Sequence, residues 1–469
     1  MLAGLGGAVS AIIWGLLLLS VLVFVHEGGH FLAARILGIR VKEFFLGMPC
    51  RFRLAKASKR YGTVYGVTPI LLGGYTMVCG MEGEESPYLA QALACVMKHG
   101  RVSVAQVARE VGCTPAEAGD ALMTLTDWGS IEPFEPQQDD TLPASASSED
   151  PDATAAEKDF FQTLARDPRL LTCYDKGHDF DASGTTQAGE PHPIDDPAAF
   201  LAHERAHTYL AHGFWGRTFV LVSGVAINIL CGLLLVVLVL TLWGVTTSTN
   251  EPVLGAVVEG SPAAQAGLVA GDRMVSVNGT PTDTWEAFAL QLQEAIDQGS
   301  SMDISYEHDG QQRSVTVTAD PETQRIGVQA QTQQVRLGLG EALSYAANYV
   351  ATTAIYISQL FQPAHFSQVI ENSSSVVGIS VMASQAASQG LASFAILAAA
   401  VSLSLGFMNL LPIPPLDGGK IVIEAIQAIR KKPVSLKVQS TVSMVGIALF
   451  MLLFFVLLRQ DIIRFVFGG

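Results

Sequence analysis

The strongest constraint on this chain is Leu16–Leu37, LLLLSVLVFVHEGGHFLAARIL, where an apolar helix runs directly into His26-Glu27-Gly28-Gly29-His30. Positions i and i+4 of a helix share a face, so His26 and His30 reach one metal ion. Glu27, next to His26, is placed to activate water at that ion. Ionisable groups are costly inside lipid and rarely sit there without a use. HExxH also arises by chance in soluble helices, and the apolar run around this copy is what sets it apart.

The chain has 469 residues, 49% of them hydrophobic, and a positive mean hydropathy despite long polar stretches. That mixture implies membrane spans plus soluble modules. A net charge of −15 argues against a broad basic surface for nucleic acid. Cys50, Cys79, Cys95, Cys113, Cys173 and Cys231 show no CxxC spacing and imply no disulfide framework. The start lacks a basic n-region, and its apolar run continues into HExxH, so a cleaved signal is not expected.

Residues 1–82 read as a first span, Ala8 to Ala33, followed by a basic stretch containing Arg35, Arg40, Lys42, Arg51 and Arg53. Lys and Arg beside a span mark the cytoplasmic side, so the HExxH end faces the cytoplasm. Gly28 and Gly29 are poor mid-helix residues; they allow close packing, admit an extended substrate, or simply soften the helix. Tyr61 to Val78 mixes β-branched and aromatic residues with Gly and Pro and reads as strands dipping toward the membrane.

Residues 83–134 carry three short helical patterns, Tyr88–Lys98, Val104–Val111 and Pro115–Trp128, and resemble a winged helix-turn-helix. The reading-helix position holds Glu117, Asp120 and Asp127 and neither Lys nor Arg, so it cannot neutralise phosphate. A protein-interaction or regulatory module, or a plain folded insert, fits better. Residues 135–212 read as an acidic linker, an ambiguous stretch and a polar helix, Pro197–His212. That helix carries a second HExxH, His203 to His207, which a solvated helix explains without metal.

The second span is 213–244, with Asn228 inside its apolar run; such an Asn hydrogen-bonds a neighbouring helix or contacts substrate backbone. Residues 250–335 alternate short strands with one helix, Thr284–Ile296, and GSPAAQAGLVAGDRMVSVNG within them resembles a bacterial PDZ domain, a fold that adds a peptide strand to a sheet edge. Their three arginines are outnumbered by acids, which fits the extracytoplasmic side. Residues 341–384 read as an interfacial helical segment; a fifth span over 342–361 is the alternative, and it would break the orientation that follows. Residues 385–469 hold the third span, Ala386 to Leu411, and the fourth, Val442 to Leu458. Between them NLLPIPPLDGGK precedes a basic cluster, which puts Asp417 on the same membrane side as His26 and His30. A catalytic zinc takes about three protein ligands and leaves a position for water; His26, His30 and Asp417 supply that set, although Asp417 alone would also serve as a helix cap.

HEGGH ending the first span, GGY at Gly73–Tyr75, SGVAIN in the second span, one PDZ-like segment and NLLPIPPLDGGK together resemble the site-2 protease family, in its bacterial RseP-like branch. The resemblance, which does not cover 83–199, implies an α-helical membrane protein of about four spans with a membrane-associated β element and an extracytoplasmic PDZ-like domain; the cytoplasmic winged-helix-like insert is an addition to it. It implies one Zn2+ per chain and intramembrane hydrolysis of single-span proteins or remnant signal peptides in the bacterial plasma membrane, with a peptide at the PDZ groove as a further partner. By the same resemblance Glu27 is the general base, Gly73, Gly74 and Tyr75 pair with substrate, and Asn228 and Asn409 assist substrate or the developing oxyanion. Gly28 stands where a larger residue is usual, Val377-Gly378-Ile379 where Gly-Pro-Ile is expected, and one PDZ-like segment where a tandem pair is common. Two rivals remain: a non-catalytic, PDZ-bearing membrane protein that binds peptides, and a soluble zinc enzyme using His203 and His207.

Overall fold

The computed structural model describes residues 2–58, 60–81, 86–135, 159–299, 301–320, 323–432 and 434–466. The acidic linker expected at 135–158 lies, but for its first residue, outside them.

The apolar start folds as helix α1 (Leu2–Ile36). Strands β1 (Val41–Leu46), β2 (Leu54–Ala57), β3 (Val64–Val67) and β4 (Gly74–Val78) follow, in sheet order β2-β3-β1-β4. β1 runs parallel to β3 and antiparallel to β4, with Phe45 opposite Tyr75 and Leu46 opposite Gly74. β4 is thus an edge strand, and it lies along α1: the Thr76 hydroxyl donates to the Glu27 carbonyl at 3.0 Å. A Cβ at Gly74 would fall 3.2 Å from the Phe24 Cα, so the sheet packs on the helix at backbone distance.

The three helical patterns of the insert form as expected. They are α2 (Leu89–His99), then after β5 (Arg101–Ser103) come α3 (Val104–Val111) and α4 (Pro115–Asp127). Ser103 caps α3, and Thr114 with Glu117 forms a capping box on α4. β6 (Ile131–Phe134) and β7 (Phe160–Thr163) complete a three-stranded sheet, β5-β7-β6. The helices bury Leu93, Met97, Val107, Leu122 and Leu125 against Trp128 and Ile131. The polar helix is shorter than its sequence suggests: α5 (Pro197–Ala206) stops before His207, which caps it.

Glu204, the acid of the second HExxH, is wholly buried, as are Arg40 and Arg166. Arg40 reaches Glu204 at 2.8 Å and Asp175 at 2.7 Å, while Arg166 contacts both Glu204 oxygens at 3.0 Å. Burial alone would raise the Glu204 pKa, but Arg166 and Arg40 outweigh it and hold the carboxyl well below its ordinary 4.5. Asp175 is lowered in the same way, burial being outweighed by Arg40. The motif therefore clamps the insert to the segment following α1. His207 lies 4.0 Å from Asp175, and among the described residues His203 and His207 join no group of three metal donors.

Helix α6 (Phe214–Leu242) carries the second apolar run. Residues Val236–Tyr345 form a separate compact unit. In it β8 (Val245–Ser248), β9 (Leu254–Val257) and a short helix α7 (Pro262–Gln265) precede β10 (Arg273–Val277) and β11 (Thr280–Pro281). Helix α8 (Trp285–Asp297) is capped by Thr284. Then come β12 (Met302–His308), β13 (Gln311–Val317), β14 (Val328–Ala330) and β15 (Thr332–Val335). The main sheet runs β11-β10-β12-β13, with β9 on β14 and β8 on β15 as separate ladders. Asp272 of the Gly-Asp turn is buried, accepting from the Val269 amide at 2.9 Å and bonding His308 at 2.6 Å.

The interfacial helical segment contains three helices: α9 (Leu339–Ser358), α10 (Pro363–Glu371) and α11 (Val376–Gln389). Gly390, at φ +118°, then breaks the chain, so the third span is α12 (Leu391–Asn409) and does not begin at Ala386. α13 (Asp417–Arg430) and α14 (Leu436–Val466) close the fold. Among the described residues four helices are long and apolar enough to cross a membrane: Gly6–Ile36, Phe214–Leu242, Leu391–Asn409 and Lys437–Arg464. Ile12, Ile13, Leu230, Leu234, Met444, Leu452 and Phe455 are exposed on them, a surface that suits lipid and not water. Inside, α12 turns a stripe of Ala395, Ala399, Ser402 and Gly406 inward, letting backbones approach closely. The Gly378 departure has a local reason: its amide donates to the buried Asp461 of α14 at 3.1 Å, where a Cβ would collide. All six cysteines are free.

Two predictions follow from the buried network. Glu204→Ala leaves two guanidiniums without their shared carboxylate, a loss of about 3–5 kcal/mol, read as a lower denaturation midpoint. Both carboxyls are depressed by folding, so their contribution is full above their ordinary values of 4.5 and 3.8 and is lost as pH falls below them. Acid should loosen the insert, and hydrogen exchange at α5 as a function of pH checks it.

Candidate active site

The last third of α1 carries His26 and His30 on the face turned toward α6, and both are buried. That contact is unusually close. A Cβ at Gly29 would overlap the Ser223 carbonyl, and one at Gly224 would lie 2.5 Å from His30 Nε2 and 2.9 Å from His26 Cε1. Gly29 therefore serves packing, and the Gly224 backbone walls the histidine pair. Gly28, by contrast, meets only the Phe44 ring at 3.7 Å.

The third group arrives from α13. After α12 the chain turns through Pro412, Pro414 and Pro415, and Gly418 and Gly419 press on the backbone of Leu410, Leu411, Ile413 and Pro414 with no room for a Cβ. This tight fold-back puts Asp417 at the first turn of α13, facing α1. Its Oδ2 lies 3.0 Å from His26 Nε2 and 3.2 Å from His30 Nε2, and the two Nε2 atoms are 3.2 Å apart. Burial opposes charge on Asp417, but the bonds from His26 and His30 outweigh it and hold the carboxyl well below its ordinary 3.8.

The geometry suits a small divalent cation. Tetrahedral bonds of about 2.0–2.1 Å put ligand atoms roughly 3.3 Å apart, close to the triangle found here. The outer partners agree. His30 Nδ1 lies 2.8 Å from the Val220 carbonyl, which can only accept, so Nδ1 carries the proton and the Nε2 lone pair points to the shared centre. His26 Nδ1 lies 3.4 Å from the Asn228 amide nitrogen, while Asn228 Oδ1 is buried with no partner. Which amide atom is oxygen is an assignment. Turned over, Oδ1 accepts from His26 Nδ1–H, giving both imidazoles the tautomer that a metal ligand needs.

The remaining sequence-derived residues divide. Glu27 is half-buried beside His26, its carbonyl fixed by Thr76. Tyr75 is committed to the sheet, its hydroxyl donating to Glu43 at 2.6 Å and its ring stacked on Phe45. Gly73, at φ +136°, and Gly74 lie against Val23 and Phe24 of α1. Asn409 ends α12, half-buried, and is not among the groups bonded to the histidines. A cavity of about 810 Å³ opens between Thr76–Val78 of the edge strand and α13–α14, lined also by Tyr209, Pro414, Pro415, Lys420 and Glu424.

Two contributors had little or no sequence signal. The Val220 carbonyl is backbone, and nothing in its side chain announces it. Glu424 ties α13 to the base of α6, bonding Arg217 at 2.9 Å and the Tyr209 hydroxyl at 3.4 Å. Its only signal is its place seven residues after Asp417, two turns along one helix face.

Comparison with known proteins bears on the same region. The family model Peptidase family M50 matches residues 14–453. Zinc metalloprotease RasP of Geobacillus kaustophilus is 27% identical over 474 residues, covering 97% of this chain and 98% of that protein. Regulator of sigma-W protease RasP of Bacillus subtilis is 26% identical over 461 residues, covering 97% and 99%. Probable protease eep of Enterococcus faecalis is 25% identical over 463 residues, with the same coverage. With the family match running from the first span into the fourth, the chain belongs to peptidase family M50, the site-2 proteases.

Proposed function

We propose that this peptidase hydrolyses peptide bonds within or next to the membrane-spanning segments of single-span proteins, anti-sigma-factor-like regulators or remnant signal peptides, with His26, His30 and Asp417 holding one Zn2+. The observation that carries the reading is the 3.0–3.2 Å triangle of His26, His30 and Asp417 donor atoms on two elements joined only through the fold. Bound there, zinc polarises a carbonyl and acidifies water. Glu27 takes the proton of the attacking water and returns it to the leaving amine. Asn228 orients His26, beside the substrate or oxyanion role that the family resemblance implies for it.

A helical substrate must unwind first, because its carbonyls are internally bonded. The edge of β4 offers the extended segment a ladder, and the cavity beside it gives the strand room. Gly73, Gly74 and Tyr75 act in this reading by shaping that edge, and Asn409 by bordering the turn that carries Asp417. The sigma-W regulator named in the Bacillus subtilis relative supports regulatory membrane proteins as substrates.

The site lies at the cytoplasmic end of the spans, and the unit between α6 and α9 is a PDZ-like peptide-binding domain on the opposite side. The helices and sheet of the insert make a winged-helix-like module. The exposed acids Glu117 and Asp120 on α4 favour a protein over nucleic acid as its partner. The non-catalytic rival fails on Glu27, since a structural metal needs no base. The soluble rival fails on Glu204, whose carboxylate is spent on Arg40 and Arg166.

Glu27→Gln should cut cleavage of a single-span substrate in vesicles about 10²–10⁴-fold with zinc content unchanged. Glu204→Gln should leave turnover per folded molecule intact; survival of activity in Glu27→Gln would sink the reading. Asn228→Leu should weaken zinc binding about 10–100-fold, measured by competition with a chromogenic chelator.

A further inference from the structure

A second constellation lies in the insert, away from the spans. Cys95 and His99 stand four residues apart on α2 and share a face, and Glu110 reaches them from α3. Their ligand atoms all lie within 4.8 Å of one another. His99 Nε2 is 2.9 Å from a Glu110 oxygen, and Cys95 is buried beside them.

An ordinary ion pair explains part of this, since Lys98 also approaches Glu110 at 3.8 Å. It does not explain Gln106. That side chain is 2% exposed, its amide nitrogen donates to Glu110 at 3.2 Å, and its Oε1 has no hydrogen-bond partner. As assigned, the nitrogen faces Glu110 and the oxygen is buried and unmatched, a sign that the amide is turned over or that a partner is absent. With the amide turned over, Oε1 would face Glu110 oxygen to oxygen, an approach that a cation between them makes favourable.

We propose that Cys95, His99 and Glu110 form a zinc site in the insert, with Gln106 Oε1 or water in the fourth position. One thiolate, one neutral imidazole and one carboxylate match the borderline character of Zn2+ and balance its charge. Zinc binding displaces the Cys95 thiol proton to solvent as the sulfur–zinc bond forms. The ion then ties α2 to α3.

The site does not depend on the membrane centre, and cobalt tells the two apart. His26, His30 and Asp417 include no sulfur, so only the insert site gives thiolate-to-cobalt charge transfer. Full-length protein in detergent, stripped with chelator and titrated with Co2+, should bind two equivalents and develop a near-ultraviolet band. Cys95→Ser should abolish the band and leave one equivalent. If that variant does not fold, His99→Gln and Glu110→Gln, at partly exposed positions, should each weaken the band-forming event by more than the roughly 10–100-fold cost of an outer-shell loss. A wild-type protein without the band, a band that survives Cys95→Ser, or affinities unmoved by His99→Gln and Glu110→Gln would overturn the proposal.

Discussion

The close approach of α6 to α1 is the constraint on which the rest depends. Two helices normally pack with their axes 8–10 Å apart, and side chains between them keep polar groups separate. Here Gly29 and Gly224 remove those side chains. The Val220 carbonyl and Asn228 amide can then reach the backs of two imidazoles on the neighbouring helix. Dispersion between small residues drives such contacts in lipid, where no hydrophobic effect separates helix from solvent. Ser402 extends the same seam, its hydroxyl donating to the Asn228 carbonyl at 2.8 Å. Packing and site chemistry are therefore one structure seen from two sides.

Much of this was legible in the sequence, because lipid leaves few ways to read a charged motif. HExxH in an apolar run, followed far along by Asp417 in a Pro- and Gly-rich turn, pointed to one centre. The insert helices were legible through period and capping residues. Val104–Val111 falls where the pattern placed it, and Thr114 and Glu117 mark the start of α4. The short strands β8, β14 and β15 were not, since three or four residues carry too little alternation to register. Nor was the break at Gly390 read, although the Ser- and Gln-bearing run before it gives way there to an apolar one.

Two residues show why single-residue reading fails. Arg40 counted as one of the cations marking a membrane side, yet it is fully buried and neutralised by Asp175 and Glu204. Glu204 sat in a motif that spells a metalloenzyme and proves to be an anchor. Arg40 finds its carboxylates 135 and 164 positions away, and Glu204 takes one of its two arginines from that same distance, where no local pattern reaches. Asn228 is the converse: its polarity inside an apolar run stood out in the sequence, and the fold sets it beside the His26 imidazole.

The anchoring network also bears on how such an insert is inherited. A module joined by loops alone can be lost or exchanged as a cassette, leaving its host untouched. This one shares a charge cluster with its host: Arg40 belongs to the segment leaving α1, whereas Asp175, Arg166 and Glu204 belong to the insertion. Excising the insertion would leave Arg40 without both its carboxylates, and transplanting it elsewhere would leave Asp175 without its arginine and Glu204 with only Arg166. The four positions are therefore coupled energetically across the join between host and insert.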